Sequence, residues 1–534
     1  MENKIKEIIL NCEKMERRFA LLSGGKLEEY KIERDNDNPE AGDIFLGKIV
    51  NLDQSLQAAF VDIGAAKNAF LHFRDMIPGN SELIEQFQME QLARNTASTS
   101  KKKKNKLAGE KYSLEISRRK SRITAADIPD IFKPGMELLV QVTKGQIGTK
   151  GARVTTDISI PGRFLVLMPY CGHIGLSTRI ESAAERERLR KIIEGLNIPE
   201  GMGVICRTAG EGRRASFFKK DLELLLDYWD KIASGMERSA APVQLFTEPN
   251  LIDRTVRDFV TDEIAGITVD DPAAYKTIRD TLKRIGGSKL VSRVHFYSGN
   301  EPVFEYYGID RQLIEVFQRK VKLPGGGEIV IDETEAMIAI DVNSGHGRKA
   351  SEQPDFILKT NLEAAEEIAR QLRLRDIGGL VVIDFIDMRS AGDRDTVLRE
   401  MKKLVKDDRA KTRVLPLSKL GLMEMTRQRE HESIQSQVFI PCPYCSGSGL
   451  VKSPVTMSAE IQRKLNSIMR DRKYKGVPLR VFMHPEVLAR LRNEDAHLLN
   501  AMEAKYKNAL SFRADPMLHY EEFKLVDTET GAEL

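Results

Sequence analysis

Residues 335–345, EAMIAIDVNSG, and residues 378–388, GGLVVIDFIDM, each carry a short apolar run that closes on an aspartate. In the first, Met337 to Ile340 reads as a buried strand ending at Asp341; Asn343 lies two residues on and so on the same face, and Gly345 closes the turn. Between the two runs Leu362, Ala365, Ile368 and Leu372 form one helical stripe, with Thr360 and Glu363 in capping-box spacing and Gly378-Gly379 as the stop. In the second, Leu380 to Ile383 is continuously apolar, as in a buried strand, and ends at Asp384. A strand-helix-strand unit of this length permits a parallel crossover, which brings both carboxyl ends to one sheet edge, where α/β proteins bind ligands. Two carboxylates with a neighbouring carboxamide suit Mg²⁺, which takes few protein ligands and keeps waters and phosphate oxygens. Such an ion lowers the pKa of a bound water and neutralises charge on a phosphate under in-line attack. The alternative is that Asp341 and Asp384 only initiate turns. Asp387 falls on the opposite side of an ideal strand and reads as a supporting or structural residue.

The 534 residues exceed one hydrophobic core, and roughly 150 residues per domain suggests three or four modules. A composition 41% hydrophobic and 30% charged is that of a folded soluble protein; no run approaches the roughly 20 apolar residues of a membrane span. The amino terminus lacks a secretory cleavage site, so a cytoplasmic location is expected. Lys+Arg 83 against Asp+Glu 79 does not by itself mark a nucleic-acid binder. Cys12, Cys171 and Cys206 are isolated and make no disulfide framework, leaving Cys442 and Cys445 as the one pair.

Short β-rich runs at Phe45 to Leu52, Ala58 to Ile63 and Asn68 to Leu71 suggest a small barrel that resumes at MELLVQVTKG, residues 136–145. Between them, residues 90–111 carry KKKKNK, either a solvated loop or an extra nonspecific attraction for RNA. Strand-like FLVLM and GVICRTAG flank a charged helix at 181–196, and a long charged helical region follows from 215 to about 285. From 291 the strands RVHFYS, PVFEYYG, GEIVID and EAMIAIDVN lead into the α/β module that holds the two aspartates. Residues 452–534 read as a small α/β appendage. Cys442-Pro-Tyr-Cys445 is a zinc half-site that lacks a second CxxC, and His431 is not at finger spacing. A free or redox-active pair is the alternative, but no thioredoxin-like βαβ context surrounds it.

Together AIDVNSG, LEAAEEIARQLRLRDIGGLVVIDFIDM and CPYCSGSG resemble the catalytic core of the ribonuclease E/G family, with similarity from near the amino terminus to about Gly449. Because the chain stops shortly after its small terminal domain, it resembles the shorter G type. The resemblance implies a multidomain α/β and α+β protein. Its parts are an RNase H-like subdomain (1–38 and 253–316), an S1, OB-like β-barrel (39–156), a 5′-sensor region (157–252), a DNase I-like α/β catalytic module (317–438), a zinc-link (439–452) and a small C-terminal α/β domain (453–534). It implies that Asp341 and Asp384 bind the catalytic Mg²⁺ and that Asn343 positions the attacking water. Phe60 and Phe70 match its base-stacking positions, with Lys48 and Lys150 as phosphate contacts and Lys144 a further candidate; the alternative for both Phe is barrel core. ICRTAGEG, residues 205–212, is similar to a sensor in which Arg207 and Thr208 grip a 5′-monophosphate, the backbone of Val166 assists, and Lys411, with Arg413 close by, stands where the family has an Arg. Arg207 as a plain surface ion-pair residue is the bland reading. The half-site implies a Zn²⁺ shared between two chains, hence a homodimer or a tetramer. The implied activity is Mg-dependent hydrolysis of single-stranded RNA to 5′-phosphate and 3′-hydroxyl ends, stimulated by a 5′-monophosphate, in rRNA processing and mRNA decay. A noncatalytic RNA-binding or assembly protein is the competing class.

Overall fold

Three strands, the first two with consecutive buried apolar residues, open the chain as an antiparallel meander: β1 (Lys6–Cys12), β2 (Arg17–Ser23) and β3 (Lys26–Glu33). Their sheet is completed by distant segments, β14 (Ile264–Val269) and β15 (Val294–Phe296), which pair in parallel in the order β15-β14-β1-β2-β3. Ile8, Leu10, Phe19, Ile267 and Val269 pack under the helices Leu251–Asp258 and Pro272–Arg284. The computed structural model describes residues 5–34, 38–77, 127–146, 151–284, 288–334, 336–345, 354–406, 408–418, 420–428, 433–471, 474, 476–507 and 509–534. These fall into two compact units, Met1–Gln437 and Val438–Leu534.

Between β3 and β14 in sequence comes a barrel of β4 (Ile44–Asp53), β5 (Ala58–Asp62), β6 (Ala69–His72), β7 (Glu137–Lys144) and β8 (Arg153–Thr155). The sheet runs β4-β5-β6-β8-β7, and β7 pairs back to β4, closing the ring in the manner of an S1-like domain. Val61, Leu71, Val140 and Val154 fill its core. Gly47 is demanded by this closeness, since a Cβ there would lie 2.6 Å from Val61 Cγ1. The KKKKNK segment lies outside the described residues.

A four-stranded sheet, β11-β12-β10-β9, follows, with β9 at Ile160–Pro161, β10 at Leu165–Met168, β11 at Ile174–Leu176 and β12 at Gly203–Cys206. The long helical region expected over 215–285 is broken up. The Ala215–Arg238 helix buries Phe218, Leu222, Leu225 and Trp229 at helical spacing, but β13 (Val243–Phe246) joins the barrel beside β4 and β14 joins the first sheet. PVFEYYG is not a strand. Val303 and Phe304 are both buried, which adjacent strand residues on a one-sided sheet cannot achieve, and Val303–Tyr306 is a helical turn.

The last sheet of the first unit has the order β16-β17-β18-β19-β21-β20, formed by Lys320–Lys322, Glu328–Glu333, Met337–Asn343, Gly379–Asp384, Leu422–Arg427 and Thr412–Val414, respectively. Helices Pro354–Leu374 and Ala391–Leu404 cover one face, burying Ile340, Ile383, Ile368, Leu372, Val397 and Met401. The capping box is absent: the helix begins at Pro354, and the mid-helix Thr360 hydroxyl donates to Phe356 O at 2.9 Å. Nor are β18 and β19 buried on both faces. Met337 and Leu380 are 40% and 42% exposed, while Ile338, Ile340, Val381 and Ile383 are buried. The second unit holds the sheet β23-β22-β24, from Leu510–Ala514, Leu479–Met483 and Phe523–Asp527, under the helices Pro454–Arg470, Pro485–Asn493 and Ala496–Tyr506.

Candidate active site

β18 and β19 are adjacent and parallel, and their register places Asp341 directly beside Asp384. Strand neighbours stand about 4.8 Å apart, so the two carboxylates share the open face at close range. Both side chains are exposed, and so is Asn343 one pleat further along β18. Asn343 Nδ2 donates to Asp341 Oδ2 at 2.7 Å, fixing that carboxylate. Partial burial first, then the carboxylates of Asp341 and Asp387, push the Asp384 carboxyl above its ordinary range. Asp387 therefore belongs to the electrostatics of the centre, the supporting place the sequence offered it. The ladder of β19 stops at Asp384, so strand alternation does not extend to Asp387.

Among the described residues no three His, Cys, Asp or Glu side chains converge into a metal-ligating cluster. Two carboxylates held by cross-strand register nevertheless suit a hard cation that completes its shell with waters and phosphate oxygens. The donor chemistry thus fits a divalent ion such as Mg²⁺.

Arg207 and Thr208 follow β12 and line an open cavity of about 850 Å³. Arg207 Nη1 donates to Gly162 O at 2.6 Å, and Nη2 meets Asp258 Oδ1 at 2.7 Å. Burial acts to raise the Asp258 carboxyl, but the guanidiniums of Arg257 and Arg207 outweigh it and hold it below its usual range. Thr208 is exposed beside it. The cavity also receives Arg179 and Arg409, neither of which the sequence singled out; Arg409 sits 3.4 Å over the Phe259 ring and donates to Asp258 O. Lys144 lines it as well. Lys411 does not. It lines a smaller cleft of about 290 Å³ with Lys402, Lys406 and Arg179, while Arg413 lies on β20 opposite Thr426. Val166 is mid-strand in β10, opposite Ile205 and Pro161, and is not among the residues lining either space.

On the barrel, Phe60 and Phe70 are cross-strand partners with ring centroids 6.1 Å apart. Both are half-buried and stand outside the core cluster, so the barrel-core alternative fails. Lys48 is exposed opposite Asp62, and Arg153, in register with Phe70, adds a cation the sequence reading did not name. Lys150 lies outside the described residues.

In the second unit Cys442 is exposed and Cys445 half-buried, on a turn whose Ser446, Gly447 and Gly449 have positive φ. Gly449 N donates to Cys445 Sγ at 3.3 Å; this bond, chiefly, lowers the thiol's pKa. His431 lies outside the described residues, and Cys12, Cys171 and Cys206 are in no disulfide among the described residues. Among the described residues no helix is long and apolar enough to cross a membrane.

Comparison with known proteins gives two family matches: the Ribonuclease E/G family over residues 159–430, and the RNase E/G, Thioredoxin-like domain over residues 441–528. The second corrects the expectation that Cys442 and Cys445 lack a thioredoxin-like setting. β22 and β23 form a parallel crossover downstream, although the pair stands on a turn ahead of the Pro454–Arg470 helix and not at its first residues. The chain is 36% identical over 521 residues to Ribonuclease G of Escherichia coli (strain K12), covering 97% of this chain and 99% of that protein. Ribonuclease G of Salmonella typhimurium (strain SL1344) is 35% identical over the same span. Ribonuclease E of Escherichia coli (strain K12) is 35% identical over 503 residues, 94% of this chain but 44% of that longer protein. With a family match across half its length and relatives this similar from end to end, the chain belongs to the ribonuclease E/G family.

Proposed function

We propose that this endoribonuclease hydrolyses single-stranded RNA at Asp341, Asn343 and Asp384, leaving 5′-phosphate and 3′-hydroxyl ends. The observation that carries the reading is the direct register of Asp341 with Asp384 on the open face of a parallel strand pair. These two carboxylates hold Mg²⁺. When bound, the ion supplies a water of lowered pKa and positive charge against the scissile phosphate. Asn343 spends its amide nitrogen on Asp341 and keeps its carbonyl oxygen for an approaching water. The open sheet face admits an extended strand, and Phe60 and Phe70 with Lys48 and Lys150 hold it by stacking and phosphate contacts.

Arg207 and Thr208 serve as the 5′-monophosphate sensor in the cavity they line. Asp258 and Gly162 pre-orient the guanidinium and leave its remaining N–H donors for an anion. Cys442 and Cys445 supply half of a Zn²⁺ site completed by a second copy, so the protein works as a homodimer or tetramer in the cytoplasm, in rRNA processing and mRNA decay. The first-sheet segments form an RNase H-like subdomain, and residues 317–438 a DNase I-like one. The deciding experiment measures RNA cleavage by the parent and Asp384→Asn with and without Mg²⁺. Metal-dependent cutting by the parent alone is expected; binding without cutting by either protein would identify a noncatalytic RNA-binding protein instead.

A further inference from the structure

Beyond Asp384 the chain leaves the sheet, so the peptide groups that follow lose the ladder as a source of hydrogen bonds. At Ile386, between Asp384 and Asp387, both groups are nonetheless satisfied by one side chain. Asn361 Nδ2 donates to Ile386 O at 2.9 Å, and Ile386 N donates to Asn361 Oδ1 at 3.1 Å. Asn361 sits on the Pro354–Leu374 helix with 0% exposure, so its carboxamide takes the place of a missing strand neighbour in a site from which water is excluded. Phe385 and Met388 anchor the same loop in the core, and Arg394 Nη1 ties Met388 O at 2.5 Å.

We propose that Asn361 is a positioning residue of the catalytic centre, clamping the Asp384–Asp387 loop so that Asp384 keeps its place beside Asp341. This rests on the metal reading above. Outer partners that orient a ligand change metal affinity or activity by roughly 10–100-fold when removed, because a carboxylate free to turn away no longer chelates. Only an amide offers a donor and an acceptor in the required plane. Asn361→Leu keeps the branched shape and deletes both bonds, while Asn361→Ser, which adds no bulk at this buried position, is a second variant in case the first does not fold.

The test titrates Mn²⁺ into full-length parent and variants, reading free ion by electron paramagnetic resonance. RNA affinity in EDTA and the cleavage ratio of 5′-monophosphorylated to 5′-triphosphorylated RNA are measured alongside. The expected result is Mn²⁺ affinity weaker by about tenfold or more in both variants, with RNA affinity and the 5′-end ratio as in the parent, since both are read elsewhere. Unchanged Mn²⁺ affinity in Asn361→Ser overturns the proposal, as does a parallel loss of RNA affinity and Mn²⁺ binding in both variants, which marks Asn361 as generally structural. A parent that binds no Mn²⁺ and cuts equally in EDTA refutes the metal reading itself and the clamp with it.

Discussion

Replacing Asp384 by Asn should stabilise the protein in EDTA while abolishing its activity. Asp384 and Asp341 face each other across neighbouring strands, and two like charges about 5 Å apart repel by about 0.8 kcal/mol at the dielectric of water and about 3 kcal/mol at an effective dielectric near 20. Both side chains are exposed, so the lower figure governs and roughly 1 kcal/mol is relieved. In a unit as large as Met1–Gln437 that raises Tm by about 2 °C at most. Saturating Mg²⁺ reverses the order: an ion at 100 times its Kd adds about 2.7 kcal/mol to the parent and little to a variant missing one anionic ligand. Calorimetric melts of both proteins in EDTA and in Mg²⁺, beside a gel assay of RNA cutting, read every term. A variant that melts below the parent in EDTA would show that Asp384 is a structural cap and that like-charge strain is absent.

Arg207→Ala should lower the preference for 5′-monophosphorylated over 5′-triphosphorylated RNA by about tenfold, the worth of a hydrogen bond to a charged group, in matched cleavage time courses; an unchanged ratio removes the sensor assignment. Phe60→Ala should weaken single-strand binding by about 1–3 kcal/mol, measured by fluorescence anisotropy, while the thermal melt stays near the parent's because the ring is outside the barrel core. Cys445→Ser should release zinc and halve the mass seen by light scattering; retention of both would end the shared-site reading. Glu185 is held at about 2, chiefly by the Arg188 hydrogen bonds and then by Gly212 N–H, so its stabilisation of the segment after Arg207 is complete above its ordinary 4.5 and fades as pH falls from 4.5 toward 2. Melts of Glu185→Gln across that range should therefore fall less steeply with acidification than the parent's.

The aspartate pair was legible because a strand, a single helix and another strand leave only one economical arrangement, and the parallel register follows from it. The open face was not. Met337, Ala339, Leu380 and Val382 are as apolar as their buried neighbours, and no alternation in the sequence marks the side left uncovered. Pro354 was a better helix-start signal than Thr360, since proline at a first helical position gives up no hydrogen bond. Arg179 and Arg409 reach the Arg207 cavity through tertiary folding: Arg179 donates to Asp408 O and Arg409 O across more than two hundred residues, a proximity that spacing cannot encode. Lys411 illustrates the converse, since two residues from Arg409 the chain already faces another cleft.

The first sheet draws strands from both sides of the barrel, and this imposes an order on synthesis. A ribosome adding roughly 5–20 residues per second delivers β14 roughly 10–50 s after β1. During that interval the β1 edge, with Ile8, Ile9 and Leu10, has no parallel partner and is a template for strands of other nascent chains. Yield of soluble protein is therefore governed by how that edge is shielded during translation, a quantity that mutations at Ile264–Val269 would alter before any enzyme exists to assay.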